Sequence, residues 1–188
     1  MFSNLKIEGE YEMKTSEKVI TIDPDKCVGC HSCEMACSMQ HYGKCSPLLS
    51  RIRIQEFREV NTFIPITCQS CEEATCIKVC PMGARIRLES GAVITNEEAC
   101  IGCRACTYSC FLGAPVVNPE NGKSMTCDHC NGYEEPWCVR ACMMNGALKF
   151  IPKYQASNNM ARKFAAILKE EFKPQCTKDE KDSGFSFA

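Results

Sequence analysis

Sixteen of the chain's eighteen cysteines fall into four dense blocks: CVGCHSCEMAC (27–37), CQSCEEATCIKVC (68–80), CIGCRACTYSC (100–110) and CDHCNGYEEPWCVRAC (127–142). Thiols repeated at three-residue intervals are better placed to converge on one inorganic centre than to pair as disulfides with distant partners. The first and third blocks share CxGCxxCxxxC. The second and fourth open with CxxC, widen to a gap of four or seven residues, and close with CxxxC. The resulting A, B, A, B order is what duplication of a two-block unit leaves behind.

A cubane 4Fe-4S cluster has four iron corners, and CxxCxxC lets one loop reach three of them. The fourth thiolate must come from elsewhere, and in the ferredoxin run CxxCxxCxxxC the last cysteine ligates the other cluster. Cys27 to Cys37 would then hold three corners of one cluster and lend a ligand to its neighbour. Zinc competes in principle, because two CxxC pairs roughly 15 to 20 residues apart make a tetrahedral site. The first and third blocks crowd more sulfur into one loop than a single tetrahedral ion can use, whereas the four blocks together supply ligands for four cubes.

Between the blocks the chain reads as short strands and turns. VITI (19–22) and ALKFI (147–151) are placed to close a ribbon from the two ends. ARIRLESGAVIT (84–95) reads as a hairpin around Ser90-Gly91. RIRIQEF (51–57) and TFIPIT (62–67) read as a second hairpin whose last strand, holding Pro65, is an edge. EMAC and IKVC suit one short helical turn carrying the final cysteine of their blocks. Gly83-Ala84, Gly113-Ala114 and Gly146-Ala147 offer tight exits after three of the blocks. SNNMARKFAAILKEEFK places Met160, Phe164, Ile167, Leu168 and Phe172 at helical spacing, an amphipathic helix that packs on its own domain or, alternatively, docks on a partner.

The blocks in this order, with CIGCRAC in the third and a widened CxxC in the second and fourth, resemble the four-cluster electron-transfer subunits that accompany molybdenum and tungsten bis-pterin oxidoreductases. The match covers roughly residues 19–152. The compact length and the ending CMMNGALKFIP are most similar to the small iron-sulfur subunits of tungsten enzymes of the aldehyde ferredoxin oxidoreductase type, including class II benzoyl-CoA reductase. The resemblance implies pairing of the first block with the fourth and the second with the third. One cluster would take Cys27, Cys30, Cys33 and Cys142, and its neighbour Cys127, Cys130, Cys138 and Cys37. The inner pair would use Cys68, Cys71, Cys76 with Cys110, and Cys100, Cys103, Cys106 with Cys80. Proline follows the fourth cysteine of the ferredoxin run, and only Cys80 has it here, as Pro81.

The expected fold is therefore α+β: a duplicated bacterial-ferredoxin-like domain (19–152) of short hairpins and helices around four 4Fe-4S clusters. An N-terminal extension (1–18) precedes it, and an amphipathic helix (153–174) and a tail (175–188) that looks disordered follow. The expected task is to relay single electrons between a tungsten or molybdenum pterin catalytic subunit and a further redox partner, such as a ferredoxin, a flavoprotein or another iron-sulfur subunit. A free-standing polyferredoxin carrier and a redox-inert zinc module are the competing functions. The chain shows no GxGxxG, Walker loop, HExxH or evident nucleophile and base pair, so it is not expected to be an enzyme by itself.

A formal net charge of −1 gives nucleic-acid binding no support. No apolar run approaches the roughly 20 residues a bilayer span needs. No export signal or twin-arginine pair is visible in MFSNLKIEGEYEMKTSEK, which points to the cytoplasm. Cys45 and Cys176 lack ligand spacing and read as free thiols. His31 and His129 read as solvent-facing loop residues in preference to partners of cluster sulfur, and Trp137 as hydrophobic cover. Arg85, Arg87 and Arg104 are assigned no role, a scattered solvated surface explaining them as well as a partner does.

Overall fold

The structure, a computed structural model, describes residues 18–157 and 161, and its strands pair only two at a time. In chain order the elements are β1 (Lys18–Ile22), α1 (Ser32–Tyr42), β2 (Arg53–Phe57), β3 (Thr62–Ile66), α2 (Thr75–Lys78), β4 (Arg85–Arg87), β5 (Val93–Thr95), α3 (Ala105–Ser109), β6 (Val116–Val117), β7 (Ser124–Met125), α4 (Trp137–Arg140) and β8 (Leu148–Pro152). The described residues up to Lys153 form one compact unit, and those from Tyr154 onward belong to a second.

All four ribbons are antiparallel. β1 meets β8 with Ile20 opposite Phe150, so the two ends of the cysteine-rich region close one ribbon, as the sequence predicts. The expected hairpins β2–β3 and β4–β5 form, the second turning on Gly91 at φ +83°. Pro65 sits opposite Ile54 and is tolerated because both strands of a two-stranded ribbon are edges. β6–β7 is an unpredicted fourth ribbon, and Asn121-Gly122 in its loop was the available signal.

The helices depart from expectation in length and in what they carry. α1 runs for 11 residues rather than one turn, because no glycine or proline interrupts it before Gly43, whose left-handed conformation ends it. Only Cys37 lies inside a helix among the blocks' final cysteines; α2 stops at Lys78, ahead of Pro81, so Cys80 falls beyond it. Cys110 caps α3, and Cys142 follows α4. Gly83, Gly113 and Gly146 do take positive φ, but in turns beyond the helices: the Gly83 N–H donates to the Cys80 carbonyl and the Gly113 N–H to that of Cys110.

The core is thin in hydrocarbon. Ile20, Ile52, Val93 and Leu148 are the large aliphatic members of its central cluster, Cys33, Cys37, Cys68, Cys127 and Cys138 fill much of the rest, and Ile22, Ile54, Ile77, Leu112 and Val139 pack half-buried against it. Residues 153–157 and 161 are helical, while the remainder of the expected amphipathic helix, with Met160, Phe164, Ile167, Leu168 and Phe172, lies outside the described residues. So do the extension before Lys18, the tail and Cys176. No helix among the described residues is long and apolar enough to cross a membrane.

Candidate metal centre

α1 packs against α4, and α2 against α3. The first block is thereby brought to the fourth, and the second to the third. One cavity is lined by Cys27, Cys30, Cys33 and Cys142. Another, of about 150 Å³, is lined by Cys68, Cys71, Cys76 and Cys110. A third is lined by Cys80, Cys100, Cys103 and Cys106. The remaining set, Cys37, Cys127, Cys130 and Cys138, lies close enough for mutual electrostatic influence. Burial raises Cys138 well above the usual thiol range, and the charges of Cys127, Cys37 and Cys130, then that of Cys33 from the adjacent set, push it further.

The backbone explains why the blocks come in two types. In the first and third, the shared glycine is left-handed (Gly29 φ +67°, Gly102 φ +70°), and so is the residue before the helix, His31 or Arg104. A Cβ on Gly102 would come within 2.6 Å of the Gly122 carbonyl oxygen, so the loop demands glycine for space as well as for conformation. In the second and fourth, the third residue of CxxC is left-handed, Ser70 at φ +46° and His129 at φ +56°. Its N–H donates back to the first sulfur, at 3.4 Å for both Ser70 to Cys68 and His129 to Cys127.

Further donors aim at sulfur: the Arg51 N–H reaches Cys37 Sγ at 3.3 Å, and the Ser124 N–H reaches Cys100 Sγ at 3.5 Å. Such bonds favour thiolate and tune any metal it holds. Burial works the other way, pushing the Cys33 thiol up to about 12 and Cys130 up to about 11. At Cys80 burial also pushes upward, but the backbone N–H groups of Arg85, Met82 and Ala84 and the Arg85 charge outweigh it, and the thiol is lowered. Cation binding therefore has to displace protons from the buried sulfurs.

The donor set is all sulfur, four cysteines to a cavity, with three from one block and one from its partner. This suits a soft metal, and a net-negative cluster would also complement Arg85, whose buried Nε has no partner among the described residues. The sulfur set alone admits zinc as well as iron. A family model for a 4Fe-4S dicluster domain matches residues 60–151, and one for a 4Fe-4S binding domain matches 18–39. The chain is 41% identical to the polyferredoxin-like subunit of an aliphatic sulfonate oxidoreductase from Pyrococcus furiosus, over 70% of this chain and 76% of that one. This chain belongs to the family of 4Fe-4S electron-transfer subunits of oxidoreductases.

YnfG of Escherichia coli strain K12, a probable anaerobic dimethyl sulfoxide reductase subunit, is a second relative, 35% identical over 73% of this chain and 75% of its own. Electron transport protein HydN of the same strain is 35% identical over 66% and 83%. A benzoyl-coenzyme A reductase active-site complex, BamBC with zinc, contains a chain that superposes with a TM-score of 0.45 at 27% identity, covering 82% of this chain and 96% of that one. Like its family, this iron-sulfur protein carries multiple 4Fe-4S clusters and transfers electrons through them.

Of the side chains singled out around the cysteines, His129 and Arg85 depart from expectation. His129 is not solvent-facing: it is buried, with Nε2 3.0 Å from the Cys68 carbonyl oxygen. His31 is partly exposed but engaged, bonding Glu34 through Nδ1 and Glu56 through Nε2. Trp137 is half-buried, with the Arg140 guanidinium 4.8 Å over its ring. Cys45 is exposed. Arg87 is anchored through its guanidinium to backbone carbonyls, that of Gly91 at 2.9 Å. Arg85 is buried rather than part of a solvated surface, and nothing in its local sequence announced that.

Proposed function

We propose that the chain holds four 4Fe-4S clusters in a row, each by three cysteines of one block and one of its partner block. The outer pair takes Cys27, Cys30, Cys33 and Cys142, and Cys127, Cys130, Cys138 and Cys37. The inner pair takes Cys68, Cys71, Cys76 and Cys110, and Cys100, Cys103, Cys106 and Cys80. The observation that carries this reading is the interleaving itself: Cys80 shares a cavity with Cys100, Cys103 and Cys106, while Cys110 shares one with Cys68, Cys71 and Cys76. The recurrence of left-handed residues at matching places, Gly29 with Gly102 and Ser70 with His129, supports descent by duplication of a ferredoxin-like unit.

A bound 4Fe-4S cluster supplies one-electron redox chemistry. The chain's own residues exclude water from the buried sulfurs, donate N–H groups to them and hold neighbouring blocks together. The protein is a non-catalytic conductor within an oxidoreductase complex, with a large tungsten or molybdenum bis-pterin subunit on one side and a further redox carrier on the other. Named relatives that are subunits of oxidoreductases support such a partner, and the motif resemblance supports the pterin metal. A reducing cytoplasm suits this many unpaired thiolates.

Purification without oxygen from the native source tests this directly. Iron and acid-labile sulfide should each amount to four clusters per chain, and a large pterin protein should accompany the chain at fixed stoichiometry. Zinc without labile sulfide would sink the cluster assignment, and a loaded chain that elutes alone would make it a free carrier.

A further inference from the structure

Strand β4 carries its pattern inside out. Period-two alternation should turn Ile86 inward and Arg85 outward, yet Arg85 is 2% exposed and Ile86 is 40% exposed. Burying a guanidinium in place of an isoleucine is costly unless its charge is compensated. Among the described residues no carboxylate pairs with it. Nη1 donates to two neutral hydroxyls, Thr95 Oγ1 at 2.7 Å and Thr126 Oγ1 at 2.6 Å, and Nη2 lies 3.5 Å from Cys76 Sγ. Nε has no partner there at all.

Arg85 also lines two cysteine cavities at once, that of Cys68, Cys71, Cys76 and Cys110 and that of Cys80, Cys100, Cys103 and Cys106. Arg51, beside the outer set, makes the contrast: its Nη1 lies 3.1 Å from Asp128 Oδ2, so its charge is neutralised. A strand that violates its own binary pattern, at a position touching two sites, marks function rather than packing.

We propose that Arg85 is a single fixed positive charge shared by the two inner clusters, raising the reduction potential of both. This role rests on the four-cluster reading. A cluster held by four thiolates gains a further negative charge when it takes up an electron, and a nearby buried cation favours that form, because little water is present to screen it. Thr95 and Thr126 hold the guanidinium between the sites without cancelling its charge. Arg51, beside the set of Cys37, Cys127, Cys130 and Cys138, is already matched by Asp128, and among the described residues no basic one lines the cavity of Cys27, Cys30, Cys33 and Cys142, so the Arg85 charge favours an electron on the inner pair.

The test is a redox titration, followed by electron paramagnetic resonance, of the cluster-loaded full chain purified without oxygen. Iron and sulfide counts on the unmodified chain decide the four-cluster reading first and separately. With Arg85→Gln, two of the four midpoints should move to lower potential and two should stay; Arg85→Lys, which keeps the charge, should largely restore the pair. If Arg85→Gln loads fewer clusters, Thr95→Asp leaves Arg85 in place but gives it a carboxylate, and the same two midpoints should fall. Unmoved midpoints, a uniform shift of all four, or failure of both charge-cancelling variants to load would overturn the proposal, the last by making Arg85 a folding residue.

Discussion

His129 Nε2 lies 3.0 Å from the carbonyl oxygen of Cys68, 61 residues earlier in the chain. The backbone N–H of the same histidine donates to Cys127 Sγ at 3.4 Å. One residue thus joins the first cysteine of the second block to the first cysteine of the fourth. A carbonyl can only accept, so Nε2 carries the proton, and burial lowers the ring's pKa and keeps it neutral.

Replacing His129 with alanine removes the donor to a buried carbonyl and opens a cavity against Phe150, whose ring centroid is 6.1 Å away. The expected loss is about 1–3 kcal/mol from the hydrogen bond alone. Guanidinium titration of the visible cluster absorption should show the earlier midpoint, and His129→Gln, which retains an N–H donor, should recover part of it. Equal stability of the alanine variant would remove this bond from the account.

Glu34 is the corresponding link between α1 and the β2–β3 hairpin. Its Oε1 accepts the Ile54 N–H at 2.7 Å, while Oε2 lies 2.7 Å from His31 Nδ1. Glu34→Ala leaves the Ile54 N–H without this partner inside the protein, at a cost of about 2 kcal/mol. Glu34→Gln keeps an acceptor and should cost less. Rates of cluster loss in denaturant, compared across the two variants, check the order.

Ligand exchange between blocks makes a spectroscopic prediction. Cys37 belongs by sequence to the first block, but its charge acts on Cys127, Cys130 and Cys138 of the fourth. Cys37→Ala and Cys138→Ala should therefore perturb the same paramagnetic signal, and Cys33→Ala a different one. Matching signals for Cys37→Ala and Cys33→Ala would break the exchange scheme.

Iron removal should unfold the chain. With Cys33, Cys37, Cys68, Cys127 and Cys138 occupying core positions and few large aliphatics beside them, the hydrocarbon core is too small to stand without its metal. Circular dichroism of the chelated, reduced chain should lose its native signal, and a cooperative thermal transition in that state would contradict the expectation.

Much of this molecule is written locally. Cysteine spacing determined the sulfur loops, because a CxxCxxC run can curl only a few ways around one centre. Period-two stretches and turn glycines determined the two hairpins β2–β3 and β4–β5, because register there follows from neighbours in sequence, and they marked β1 and β8 as strands, whose register only their meeting across the domain sets. The tertiary structure decided the rest. Arg85 and His129 look like surface residues in their own segments, and only the packing of the second block against the third and fourth buries them. Whether a polar side chain is buried depends on what lies opposite it, and here the opposing groups, Thr126 and Cys68, are distant in the chain.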